Sequence, residues 1–239
     1  MKAIGVIPAR YASTRFPAKV LASLGGKSVI EHVWQKASQC KQLDHVLIAC
    51  DHPEVFKKAV SFGAKAVMTD PNHPSGSDRI AEAVGPLTVD IIVNVQGDEP
   101  FIDPATIDAL AMLLKNDPSC LMGTVIKEIT TDDEFSNPNV VKCVVDEKGY
   151  ALYFSRSPIP FNRNSGAPFS KRLDAYRKEL LLQYKDWPKS ALEGAEQLEQ
   201  LRVLEKGYRI KTVVTAIESM AIDTPDDLVK AEQWLAQLN

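Results

Sequence analysis

Four short apolar runs alternate with helical patterns over the first hundred residues, and that alternation leaves few architectures open. The runs are residues 3–7, 45–50, 65–68 and 90–95, apolar in succession rather than on every second position. Between them, Val29, Ile30, Val33, Trp34 and Ala37 recur at helical spacing, and residues 53–62 and 78–84 read as further helices. A strand that is apolar on both faces has to be covered on both, and strands separated by helices join in parallel. The reading is a doubly wound α/β unit with a mostly parallel sheet. Ligands of such sheets bind beyond the carboxyl ends of the strands. The loops at 8–19, 69–77 and 96–103 all leave strand ends, so they should share one crevice.

The second half is more mixed. Residues 140–145 and 150–154 flank Asp146-Glu147-Lys148-Gly149, a hairpin signal. Residues 157–170 carry Pro158, Pro160, Gly166 and Pro168 and read as a loop. Residues 195–206 read as one helix stopped by Gly207, and 210–216 as a strand. Thr224 reads as the cap of a last helix, with Pro225 at its first position and Asp226 and Asp227 in its first turn. No repeat, low-complexity tract or long linker divides the 239 residues, so the chain reads as one domain.

Composition removes several classes. With 28 basic against 31 acidic side chains, a net charge of −3, the chain lacks the basic excess of a generic nucleic-acid binder. A local cationic site for a phosphate stays open, because net charge does not report on pockets. No run approaches the ~20 apolar residues of a membrane span, and residues 1–7 lack signal-peptide anatomy. Cys40, Cys50, Cys120 and Cys143 are scattered, with no C-x-x-C pair, and read as reduced thiols of a cytoplasmic protein. None of the four histidines sits in an H-E-x-x-H motif. Gly26-Lys27-Ser28 is not a Walker A loop, since Leu21 stands where the motif needs glycine and no strand precedes it. G-x-G-x-x-G is absent as well.

Two segments carry candidate chemistry. The first is Pro8-Ala9-Arg10-Tyr11-Ala12-Ser13-Thr14-Arg15-Phe16-Pro17-Ala18-Lys19, with three cations, small residues and two hydroxyls directly after the first strand. Small side chains let backbone N–H groups approach an anion while Arg and Lys neutralise it, which suits a triphosphate. An exposed, solvated loop would have the same composition. The second is Val93-Asn94-Val95-Gln96-Gly97-Asp98-Glu99-Pro100. An Asp at the end of a buried strand is well placed for Mg²⁺, a hard cation that takes oxygen ligands, although an Asp that merely starts a turn looks alike. Asp223 follows apolar Ala221-Ile222 in a similar context.

These segments together resemble the 3-deoxy-manno-octulosonate (Kdo) cytidylyltransferases, over nearly the whole chain. The resemblance rests on the segment from Ile7 to Lys19, on Ser75-Gly76-Ser77-Asp78-Arg79 and on Asn94-Val95-Gln96-Gly97-Asp98-Glu99-Pro100. Ala151-Leu152-Tyr153-Phe154-Ser155-Arg156, Leu198-Glu199-Gln200-Leu201-Arg202 and Asp223-Thr224-Pro225 complete it and favour the Kdo branch over the sialic-acid branch. It implies a Rossmann-like, nucleotide-diphospho-sugar transferase-like fold. Residues 1–130 and 205–239 would form the nucleotide-binding core, and 131–204 the sugar-binding and dimerisation portion of a cytoplasmic homodimer. It implies transfer of CMP from CTP to Kdo with release of pyrophosphate, for lipopolysaccharide biosynthesis. Arg10, Arg15 and Lys19 would hold the triphosphate, and Asp98 and Asp223 a Mg²⁺. Ala9, Ser13, Ser75, Gly76, Ser77 and Arg79 would surround the nucleotide, and Gln96, Arg156, Glu199 and Gln200 would face the sugar acid.

The sequence also departs from the family. Ala18 stands where glycine is usual and Val20 where proline is usual, and Ser77 and Asp78 replace Thr and Glu. Before Tyr176-Arg177 the family carries a stretch like His-Ile-Gly-Ile-Tyr-Ala, whose His and first Tyr contact Kdo. Here Lys171-Arg172-Leu173-Asp174-Ala175 stands instead, about two residues shorter and without the His. A rebuilt sugar pocket, a local deletion and a related sugar acid as substrate all remain open. So does a nucleotide-binding module without turnover, which the two metal carboxylates argue against.

Overall fold

The structure, a computed structural model, describes residues 1–12, 15–161, 163 and 168–238. In chain order the first half runs β1 (Ala3–Ala9), a small hairpin of β2 (Ser23–Leu24) and β3 (Lys27–Ser28), α1 (Val29–Ala37), β4 (His45–Cys50), α2 (Pro53–Ser61), β5 (Lys65–Met68), α3 (Gly76–Val84), β6 (Ile91–Asn94) and α4 (Pro104–Asn116). The second half runs β7 (Met122–Glu128), α5 (Asp132–Ser136), β8 (Lys142–Val145), β9 (Ala151–Ser155), β10 (Phe169–Arg177), α6 (Lys178–Tyr184), α7 (Ala191–Glu196), α8 (Gln200–Glu205), β11 (Ile210–Thr215) and α9 (Pro225–Leu238).

One sheet collects nine of these strands, in the order β11-β7-β10-β6-β1-β4-β5, with the β8–β9 hairpin branching from β10. Neighbouring pairs are parallel except around β10, which runs antiparallel to both β6 and β7. The expected architecture is therefore present. Two apolar layers cover the sheet. Ile7, Ile30, Val33, Ile48, Val93 and Leu110 form one, and Ile4, Val6, Ile80, Ile92, Tyr176 and Leu201 the other. Alternate residues of β1 thus enter opposite layers, which is why its sequence is apolar throughout.

Helix starts follow local chemistry. The Ser75 hydroxyl accepts from the Asp78 N–H at 3.1 Å and so caps α3. Asp103 does the same for α4, ahead of Pro104. Thr224 and Pro225 open α9 as expected.

Two expectations need correction. The helix read over 195–206 is broken: α7 ends at Glu196, Gln197 adopts φ 52°, and α8 starts at Gln200. The Gln197 N–H closes on the Glu193 carbonyl at 2.8 Å, which ends the helix without a glycine. The loop read over 157–170 gives way at Phe169 to β10, which becomes a central strand. Its charged residues hide that position in the sequence.

Within β10 the pairing to β7 slips between Lys171, opposite Ile126, and Asp174, opposite Thr124. Three steps along β10 match two along β7, a bulge of one residue. The Thr124 hydroxyl, fully buried, donates to the Leu173 carbonyl at 3.0 Å and satisfies the bulged backbone.

Candidate active site

A cavity of about 530 Å³ opens beyond the carboxyl ends of β1 and β6. Residues from all the expected loops meet there. Pro8 comes from the end of β1, Arg10, Ala12, Arg15 and Lys19 from the segment after it, Gly76 and Ser77 from the start of α3, and Gln96, Gly97 and Asp98 from the segment after β6. The second half contributes Lys171, Asp174 and Tyr176 from β10, residues 197–200 from the break between α7 and α8, and Asp223 from the segment before α9.

The cationic and anionic parts of the crevice interlock. Lys19 Nζ donates to Asp98 at 2.6 Å and to Asp223 at 2.8 Å, and Arg15 pairs with Asp223 at 3.0 Å. Burial alone would lower the Lys19 pKa, but the two carboxylates outweigh it and hold the ammonium above its ordinary value. Asp98 and Asp223 lie 125 positions apart, and backbone brings them together: the Ile222 N–H donates to the Asp98 carbonyl at 2.8 Å. Gly97 permits the approach from the other side. A Cβ there would lie 2.8 Å from the Pro8 carbonyl oxygen.

Ser77, Tyr176 and Glu199 also line the cavity. Desolvation raises the Glu199 pKa, against the Ser77 hydrogen bond that favours the charged form, and nearby Asp78 adds to the rise. Gln96 Nε2 donates to Asn94 Oδ1 at 3.2 Å.

Four of the other expected site residues, Ala9, Ser75, Arg79 and Arg156, do not line the cavity. Ala9 is fully buried within β1, paired to Cys50, and Ser75 is engaged as the cap of α3. Arg79 is 0% exposed, below the crevice rather than on it, and donates to Asp51 at 3.1 Å and to the Thr69 hydroxyl at 2.5 Å. Arg156 spends its guanidinium on the carbonyls of Glu196 at 2.8 Å, Pro138 at 3.0 Å and Gln197 at 3.4 Å. It therefore buttresses the break that presents residues 197–200 rather than lining the cavity. Ser13 lies outside the described residues.

Sequence reasoning missed Asp51, Asn94, Lys171, Asp174 and Tyr176. Asp51 had a signal at least as clear as that of Asp98, since it follows the last residue of apolar β4 directly. It accepts both the Arg79 guanidinium and the Tyr11 N–H, the latter at 2.8 Å, and so ties the segment after β1 to α3.

Asp98 and Asp223 supply two hard oxygen donors close enough to share one ammonium, a set that suits a Mg²⁺ completed by substrate phosphates and water. No group of three or more His, Cys, Asp or Glu able to hold a metal occurs among the described residues. No helix among them is long and apolar enough to cross a membrane.

A cation-lined crevice at the carboxyl ends of a mostly parallel sheet, with two carboxylates beside it, defines an α/β protein of the nucleotidyl-transferring class. The profile of the cytidylyltransferase family matches residues 4–212. A 3-deoxy-manno-octulosonate cytidylyltransferase of Solibacter usitatus is 48% identical over 97% of this chain and 94% of its own. One of Flavobacterium johnsoniae is 48% identical over 100% of both chains. The solved structure of CMP:2-keto-3-deoxy-manno-octonic acid synthetase complexed with CTP superposes with a TM-score of 0.96, at 39% identity and full coverage of both chains. The chain belongs to the cytidylyltransferase family.

Proposed function

We propose that this chain activates Kdo: it transfers CMP from CTP to the anomeric hydroxyl of the sugar acid and releases pyrophosphate. The bond from the anomeric oxygen to the α-phosphorus forms as the bond to the bridging oxygen of the leaving pyrophosphate breaks, and the hydroxyl proton passes to solvent water. Such chemistry depends on positioning and charge neutralisation and needs no covalent nucleophile. The observation that carries this reading is the knot of Lys19 and Arg15 with Asp98 and Asp223, cations and carboxylates poised at one point of the crevice.

In this reading Arg10, Arg15 and Lys19 hold the triphosphate, while Gly76 and Ser77 at the start of α3 border the nucleotide. Arg79 acts from below by fixing Asp51. Asp98 and Asp223 would hold Mg²⁺, which when bound offsets phosphate charge. Gln96, Glu199 and Gln200 face the sugar acid, and Arg156 positions the last two. Residues 131–204 would serve sugar binding and assembly as a homodimer. Leu152 and Phe161, 59% and 89% exposed on that portion, support such assembly. Four free thiols suit a cytoplasmic protein.

The test is pyrophosphate release from CTP with a panel of sugar acids. Kdo should be turned over, and Asp98→Asn should abolish release while circular dichroism stays unchanged. Lys19→Ala should cost about 2–5 kcal/mol in transition-state stabilisation, the range for losing one partner of a buried charge pair. Near-normal turnover by Asp98→Asn at saturating Mg²⁺ would remove that residue from the metal site.

A further inference from the structure

The stretch where this chain departs from its family is built differently rather than emptied. In a regular strand, residues three apart point to opposite faces. The bulge in β10 adds one residue between Lys171 and Asp174, so both side chains reach the same face and line the cavity. Lys171 Nζ holds Asp174 Oδ2 at 2.7 Å. The other oxygen, Asp174 Oδ1, is buried without a hydrogen-bond partner, on a residue only 6% exposed. An orphaned acceptor of this kind costs free energy unless a ligand satisfies it.

Neighbouring cations do not fill the role. Arg172 points to Glu134 and Glu218, at 3.6 and 3.7 Å. Arg177 is buried at the far end of β10, where it donates to the carbonyls of Cys120 and Asp117 at 2.9 and 3.0 Å. A second orphan belongs to another residue that lines this cavity. Gln200 Nε2 is buried without a partner, on a residue 5% exposed. An unused carboxylate oxygen accepts a hydrogen bond from a ligand hydroxyl.

We infer that Asp174 determines specificity for the sugar acid: its free Oδ1 accepts a hydrogen bond from one hydroxyl of the sugar chain, while Lys171 fixes the carboxylate. The inference rests on the Kdo-activating reading and names a residue of that site. A site that hydrogen-bonds a hydroxyl rejects analogues lacking it, because its own buried group is then left unpaired.

The experiment measures kcat/KM for Kdo and for a series of Kdo analogues each lacking one chain hydroxyl, with the wild-type chain, Asp174→Ala and Asp174→Asn. Wild type should discriminate against one analogue by about tenfold to a hundredfold, the range for a hydrogen bond to a charged group. Asp174→Ala should raise the KM for Kdo by a similar factor and erase discrimination against that analogue alone. Asp174→Asn keeps one acceptor and the shape, so its loss should be smaller. The KM for CTP should stay within about twofold in both variants, which separates lost recognition from a damaged fold. An unchanged KM for Kdo in Asp174→Ala overturns the inference, as does an equal loss across every analogue in both variants. A wild-type chain that releases no pyrophosphate with any sugar acid overturns the underlying reading as well, and that result is distinct from the other two.

Discussion

Arg79 is legible in the sequence as a cation within a motif, but its task is not. Its partner Asp51 stands 28 positions away, and only the fold joins them under the crevice. Removing one member of a buried pair strands the other charge, at a cost of about 3–5 kcal/mol. Asp51→Ala should therefore lower unfolding stability by that order in urea titration, and should loosen the segment after β1 because the Tyr11 N–H loses its acceptor. A loss below about 1 kcal/mol would mean that water replaces the carboxylate. Ala18 shows the opposite case, where a small departure from the family has a visible cost. It sits at φ 54° and ψ 28°, the left-handed region where a Cβ is unfavourable by roughly 1–2 kcal/mol. Ala18→Gly should stabilise the chain, and after the greater chain entropy of glycine the gain should be about 0.5–1 kcal/mol. For a domain of this size that is a rise of roughly 1–4 °C in Tm, readable by calorimetry.

At the scale of elements, β1, β4 and β6 are legible because burial on both faces makes their sequences nearly all apolar; β5, an edge strand with exposed ends, is legible from Ala66-Val67-Met68 alone. The caps of α9 and the hairpin of β8 and β9 are legible through turn and cap chemistry. By contrast, β10 is hidden twice. Lys171, Arg172 and Asp174 interrupt its apolar pattern, and the bulge breaks its period of two. The break between α7 and α8 is hidden because Gln197 takes the left-handed conformation without the usual glycine or asparagine signal. Both hidden features line the crevice, so the part of it built by the first half was readable and much of the part built by the second half was not. α4 and β7 carry ordinary signals, an Asp-Pro cap and an apolar run. The turn after β6 invites a test. A methyl group at Gly97 would meet backbone, the Pro8 carbonyl oxygen, which cannot swing aside. Gly97→Ala should displace Asp98 relative to Asp223 and cut kcat about tenfold or more, since small misplacements at a reacting centre are costly. Wild-type kcat in that variant would show that the segment yields freely.

Across the whole molecule, two carboxyls near the crevice, Glu99 and Glu199, have pKa values raised above the usual range. Desolvation is the first cause in each, opposed at Glu99 by the Ser219 hydroxyl and at Glu199 by Ser77. A raised native pKa means that the folded chain holds the proton more tightly than the unfolded chain. The stabilisation is then complete below the unfolded carboxyl pKa and disappears as pH rises through the native one. Glu199→Gln fixes the neutral form. The Tm of this variant relative to wild type should therefore increase from pH 4 towards pH 8, as followed by thermal melts across that interval. A difference that stays flat would place the Glu199 carboxyl in an ordinary aqueous environment.

The divided pairing of β10 has a consequence for how such a catalyst can change. From Asp174 onward the strand is zipped to β6, while Phe169 and Ser170 are zipped to β8. The strand is a fork whose tines belong to different parts of the molecule. A residue gained or lost upstream of Asp174 can be taken up in the bulge and in the β8–β9 arm, without moving the register of β6 on β1. The parallel part of the sheet is insulated from edits in length on the other tine. Selection can thus retool the wall built by β10 through insertion and deletion, and a designer could do likewise, while the wall built by β1 and β6 keeps its dimensions.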